Sequence, residues 1–171
     1  EQENIYKEEG RAPSGKADAI TWFDDSLSDC FTNQNKTNFS FDEYGHLLLQ
    51  SIETFNDPFV SFSLQTYSEI TGLPMLRAED YGVIEIEYMI PTDASMSSYQ
   101  SDIFICAGSI NAPDGNARIR VNLVKDGEYH TLVVDLSKNT YWTGDIHMIR
   151  FDYFDNSSAG DVMYIKNISL E

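Results

Sequence analysis

Val83-Ile84-Glu85-Ile86-Glu87-Tyr88-Met89-Ile90 is the stretch of this chain that decides its fold. Successive side chains of an extended strand point to opposite faces, so Ile84, Ile86, Tyr88 and Ile90 share one face and Glu85, Glu87 and Met89 the other. One face is apolar and the other polar, as in an antiparallel sheet that packs on one side and meets water on the other. Arg118-Ile119-Arg120-Val121-Asn122-Leu123 repeats the pattern, turning Ile119, Val121 and Leu123 inward and Arg118, Arg120 and Asn122 outward.

Elsewhere along the chain, short runs of apolar, β-branched and aromatic residues recur between Gly, Pro, Asn and Asp. They predict strands over Ile20 to Phe23, Asn38 to Phe41, His46 to Ser51, Phe59 to Leu64, Val83 to Ile90, Asp102 to Ala107, Ala117 to Val124, Tyr129 to Asp135, His147 to Phe154 and Val162 to Leu170. No sustained apolar period of 3.6 residues appears, and the nearest approach, Leu136 to Trp142, is short. The expected architecture is all-β, a β-sandwich or jelly roll of about ten antiparallel strands. Residues 1–16 hold charge, Gly10, Pro13 and Gly15 but few apolar groups, so they are expected to form a flexible segment or linker. Residues 17–171 are expected to form a single domain, which their length supports.

The chain carries 11 Lys and Arg against 28 Asp and Glu, a net charge of −17. That surplus repels phosphate backbones and anionic membrane surfaces, which argues against nucleic acid and membrane as partners. No stretch is long and apolar enough to span a bilayer, and Glu1 to Lys7 lacks the apolar core of a signal peptide, so a mature, soluble chain is expected. Cys30 and Cys106 lie far apart without CxxC spacing, which leaves two alternatives, one disulfide or two buried thiols. His46, His130 and His147 never fall at metal-ligand spacing, and no motif of nucleophilic or phosphate chemistry occurs. An enzyme is not expected. Carboxylate pairs such as Asp24-Asp25, Glu79-Asp80 and Glu85 with Glu87 are explained by the abundance of acids. Arg118 and Arg120 across from Glu85 and Glu87 would make ion pairs.

The last third carries a resemblance. Asp126-Gly127-Glu128-Tyr129-His130-Thr131-Leu132-Val133-Val134-Asp135-Leu136-Ser137, then Tyr141-Trp142-Thr143-Gly144-Asp145-Ile146 and Ile149-Arg150-Phe151-Asp152, resemble a "DGxWHT(Y)xVDLS" strand followed by "WxGxIxxIRxD". Gly160-Asp161-Val162-Met163-Tyr164-Ile165-Lys166-Asn167-Ile168 is similar to a closing "GDxxxIDxI" strand, with Lys166-Asn167 where Asp-Tyr is commoner. Asp57-Pro58-Phe59-Val60 is similar to an earlier "DPxI" strand. These motifs belong to bacterial modules of galactose-binding-like jelly-roll fold in secreted carbohydrate-active and S-layer-associated proteins. The resemblance runs from about Asp57 to Leu170 with gaps. Asp126-Gly127 reads as a hairpin turn, Trp142 as an aromatic packed under a turn, and Arg150 with Asp152 as a same-face pair, all three scaffolding.

The resemblance implies a non-catalytic carbohydrate-binding module, secreted or on a bacterial cell surface, that delivers neighbouring domains to a polysaccharide or glycan. Sugar sites pair exposed aromatics with planar hydrogen-bonding groups. The candidates are Arg118, Arg120 and Asn122, with Glu85 and Glu87 across from them, and Tyr67 and Tyr99 in loops. Tyr81 and Tyr141 are further loop aromatics. Modules of this kind often hold one structural calcium ion between their terminal strands, for which Asp24, Asp25 and Asp161 are the expected ligands. A structural or adhesive spacer without a sugar site is the alternative, and a jelly-roll polysaccharide lyase or hydrolase a third.

Overall fold

The computed structural model describes residues 20–21, 25–54, 57–95 and 100–171, with 25 and 26 given by backbone alone. The segment expected to be a linker, residues 1–16, lies outside the described residues.

Among the described residues eleven strands and one α-helix follow in chain order: β1 (Ile20–Thr21), β2 (Phe31–Asn35), β3 (Thr37–Phe41), β4 (Leu47–Ser51), β5 (Phe59–Ser63), α1 (Leu64–Thr71), β6 (Val83–Met89), β7 (Gln100–Ala107), β8 (Arg118–Asn122), β9 (Tyr129–Asp135), β10 (Ile146–Asp152) and β11 (Val162–Leu170). They make two antiparallel sheets. The six-stranded sheet runs β3-β4-β11-β6-β9, with β1 also pairing β11, and the five-stranded sheet runs β2-β5-β10-β7-β8. The chain crosses repeatedly between the sheets, and their inner faces close one core.

The alternation read from sequence holds where it is clearest. Ile84, Ile86, Tyr88 and Ile90 are buried against Leu132, Val134, Ile103, Ile105, Ile149 and Phe151, while Glu85, Glu87 and Met89 stay partly exposed. Each such side chain removed from water contributes about 1.5–3 kcal/mol. The buried Tyr88 hydroxyl accepts the Val124 N–H at 2.8 Å.

Two elements depart from expectation. β2 is a strand without an apolar face, since only Phe31 of its five residues is buried. α1 follows β5 directly, where a strand through Leu64 was expected. The Ser63 hydroxyl accepts the Thr66 N–H at 3.0 Å as N-cap, and Gly72 ends the helix in the left-handed region at φ 70°. Its buried residues are Leu64 and Tyr67, one turn apart, too narrow a stripe to register as a helical period. Leu136–Lys138, the stretch nearest a helix by sequence, is a single 3₁₀ turn.

Candidate functional site on the outer face of the six-stranded sheet

Strand register lines up the outward side chains of the six-stranded sheet in rows. Leu48 pairs with Tyr164, Tyr164 with Met89, and Met89 with Tyr129, a transverse row of four large side chains. Three strand spacings make it about 14 Å long. Leu48, Tyr164 and Met89 are half-exposed, and Tyr129 is 40% exposed. Beside this apolar row lies a polar one. Glu87 sits between Thr131 and Asn167, and Lys166 Nζ is 3.5 Å from Glu87 and 5.5 Å above the Tyr129 ring. A register shift between Ile165 and Asn167 brings Lys166 to this place, since a bulge re-aims the side chain it carries. On the row's other flank stand Asn38 and Gln50, paired across β3 and β4.

The turn from β3 to β4, on the Lys166 flank of the row, adds two more rings to this face. Asp42 organises it, accepting the N–H groups of Tyr44 at 2.8 Å and His46 at 2.9 Å. Gly45 supplies the positive φ, 78°, that the turn demands. The turn projects Tyr44 into solvent, 76% exposed, with its ring 6.0 Å from His46; His46 in turn lies 6.4 Å from Tyr129. Partial burial, with the Asp42 and Glu87 carboxylates and Tyr164 nearby, raises the Tyr129 hydroxyl above its ordinary range. It remains a neutral donor at physiological pH.

Glu85 and Glu87 belong to this face, whereas Arg118, Arg120 and Asn122 do not. β6 and β8 lie in different sheets, so their outward side chains point away from each other, and the expected ion pairs across a strand do not form. Glu87 instead has Lys166, and Arg120 has Asp102, which it grips through both oxygens at 2.9 and 3.0 Å. Arg118 stands 3.9 Å from the same carboxylate, and Asn122 accepts from Gln100 at 3.3 Å.

The outer face of the five-stranded sheet also carries Arg150 and Asp152. Arg150 lies between the rings of Phe59, 4.0 Å away, and Phe104, 4.5 Å, and it donates two hydrogen bonds to Asp152. Burial pushes the Asp152 carboxyl up, to about 6, against the opposing pull of Arg150, and Asp57 adds to the rise. Trp142 is buried, its indole N–H donating to the Tyr81 carbonyl at 2.6 Å. The scaffolding role expected of all three residues agrees with these contacts.

Other expected site residues fall elsewhere. Tyr67 is not a loop aromatic: α1 turns it into the core, 9% exposed, and burial followed by the nearby Cys30 raises its hydroxyl. Tyr81 is likewise buried, and Tyr141 is 37% exposed. Tyr99 and Asp24 lie outside the described residues, as does the side chain of Asp25. Asp161 is a loop clamp: one oxygen accepts Ser95 N–H and hydroxyl at 2.8 and 3.0 Å, the other Ser158 N–H at 2.8 Å. β1 does pair with β11, but Thr21 meets Ser169, eight residues from Asp161 and roughly 26 Å along the strand. Among the described residues no group of three or more His, Cys, Asp or Glu side chains gathers as metal ligands.

Tyr44, His46, Tyr129, Tyr164 and Lys166 were not singled out from sequence. The alternation of Val162, Tyr164 and Lys166, and of Tyr129 and Thr131, carries the signal for their common face.

No family model matches the chain, and neither does any curated protein. Among solved structures, a xylan-binding module, CBM86, from the gut symbiont Roseburia intestinalis covers 90% of this chain and 93% of its own, at 9% identity and TM-score 0.52. A family 11 carbohydrate-binding module from Clostridium thermocellum matches at 16% identity, 81% and 82% coverage and TM-score 0.49. The C-terminal CBM6 of a laminarinase from Zobellia galactanivorans matches at 11% identity, 90% and 98% coverage and TM-score 0.48. The chain has the β-sandwich, jelly-roll fold of carbohydrate-binding modules. At these identities the likeness concerns architecture alone.

Proposed function

We propose that this chain is a non-catalytic carbohydrate-binding module that holds a neutral polysaccharide along the row Leu48, Tyr164, Met89 and Tyr129, with Tyr44 of the β3–β4 turn beside it, within a secreted bacterial protein of several domains. The observation that carries the reading is the pair of exposed tyrosines, Tyr44 and Tyr129, bordered by Asp42, Glu87 and Lys166. A pyranose offers an apolar C–H face and a belt of hydroxyls. Exposed rings stack on the first while carboxylate, ammonium and amide groups bond the second. The apolar row between two polar ones suits an extended chain of such rings. Glu85 and Glu87 lie side by side on one strand, whereas glycoside cleavage needs two carboxyl groups flanking the bond, which supports binding without turnover.

Affinity gel electrophoresis against xylan, mixed-linked β-glucan, laminarin and soluble cellulose tests the proposal. Retardation is expected with at least one polymer, together with its loss in Tyr44→Ala/Tyr129→Ala and no release of reducing ends. Migration unaffected by every polymer, or retardation preserved in the double variant, would overturn it and leave a spacer module.

A further inference from the structure

Among the described strands β8 is one edge of the five-stranded sheet and β9 one edge of the six-stranded one. Where the two edges face each other the sandwich leaves a cleft of about 390 Å³, within the range of small-molecule sites. Its floor is apolar, made by Ile119 of β8 and Val134 of β9, and its rim is charged. Arg118 and Arg120 come from β8, and Asp135, Lys138 and Asn139 from the turn after β9. Two further cavities, about 20 Å³ each, lie within the apolar core.

The charge is against the trend of the molecule. In a chain of net charge −17, three of its 11 basic residues line this cleft. They meet the carboxylates of Asp102 and Asp135, and Asp155 lies near enough to Arg120 to act on it as well. Asp102 gives both oxygens to Arg120, leaving Arg118 at 3.9 Å, and Asp135 stands 3.6 Å from Lys138 while accepting the Ser137 N–H at 3.0 Å. Arg118 and Lys138 are 42% and 71% exposed and make no closer ion pair among the described residues. Either can swing onto a ligand without breaking a short bond. The lining, three cations to the one carboxylate of Asp135, therefore joins positive charge at the mouth, one planar guanidinium fork suited to a two-oxygen anion, and an apolar floor.

We propose that this edge cleft is a second binding site, separate from the tyrosine row, which takes an acidic sugar unit: the anionic group meets Arg118 and Lys138 and the ring face lies on Ile119 and Val134. Carboxylated and sulfated sugars share this chemistry. The two sites lie on different surfaces, so the fate of one does not decide the other.

The test measures binding of the whole chain to polygalacturonate, to a sulfated galactan and to a neutral galactan by titration calorimetry at low salt. Binding of one or both acidic polymers is expected, weakened at least tenfold in Arg118→Gln/Lys138→Gln and by about 0.5 M NaCl, which shortens the screening length to a few ångströms. The acidic polymer preferred names the anion. Melting temperatures verify folding of the double variant, and Arg118→Ala/Lys138→Ala gives a second loss of charge. Acidic binding retained in Tyr44→Ala/Tyr129→Ala assigns it to the cleft even if neutral polysaccharides fail to bind. No preference for acidic over neutral polymer, or an affinity unchanged by both charge variants, overturns the proposal.

Discussion

Arg150 and Asp152, two residues apart on β10, hold each other through two hydrogen bonds of 2.7 Å, with the guanidinium layered between Phe59 and Phe104. Their side chains are only 16% and 8% exposed, so the charges are compensated by each other more than by water. Removing one partner strands the other. Arg150→Met should cost about 3–5 kcal/mol in urea unfolding, because Asp152 is left buried and uncompensated. Arg150→Lys, which keeps the charge but loses the fork, should fall between. Arg150→Met/Asp152→Leu should recover most of the loss, and a double variant no better than the single would refute this account.

That pair also marks how far sequence could reach. Period-two alternation is local, so the faces of Val83 to Ile90 and Arg118 to Leu123 were legible, as was the same-face pairing of Arg150 with Asp152. Which sheet receives a strand depends on crossovers that no local pattern encodes. Glu85 and Arg118 both point outward, yet from opposite sides of the sandwich. Tyr67 was misplaced because two buried residues in α1 make too weak a stripe. The tyrosine row was missed because Tyr129 and Tyr164 lie on β9 and β11, which are far apart in sequence and are brought together only by pairing on either side of β6.

The Trp-x-Gly motif has a backbone reason. Gly144, at φ 81°, passes so near Gly108 that a Cβ on Gly144 would lie 3.0 Å from the Gly108 Cα. A Cβ on Gly108, at φ 57°, would lie 2.6 Å from the Thr143 carbonyl oxygen. Gly108→Ala must therefore strain its backbone and push two loops apart. Gly45, at φ 78° with open space around it, isolates the first effect. Gly45→Ala should cost about 1–2 kcal/mol, the left-handed penalty alone. Gly108→Ala should cost clearly more, and equal losses in chemical denaturation would rule out the close approach.

Cys30 and Cys106 are free thiols, both fully buried, so the unbridged alternative is the one observed. Burial pushes both up to about 11, with Asp29 adding to the rise at Cys30 and Arg150 opposing it at Cys106. A buried thiol that stays protonated is a poor nucleophile. The native protein should leave Ellman's reagent colourless at pH 8, and two thiols per chain should react once denaturant is added. Rapid reaction of the native form would place at least one sulfur at the surface.

Glu79 ties the loop after Trp142 to the turn before β6, and it does so as a carboxylate. The Gly144 N–H holds it at 2.8 Å and the Thr143 hydroxyl at 2.8 Å. These bonds, the Gly144 N–H first, then Glu79's own N–H and the Thr143 hydroxyl, draw its carboxyl from 4.5 down to about 2, with Arg77 assisting. Because the folded state binds this proton less readily than the unfolded one, the contribution to stability is complete above about pH 4.5 and is lost as pH falls through about 2. Glu79→Gln keeps the shape without the charge. The melting temperature of the variant should lie below that of the parent at pH 6, and the gap should close steadily between pH 4.5 and pH 2. A gap of constant size over that interval would show that the loop is held by packing around Trp142 and not by the charge on Glu79.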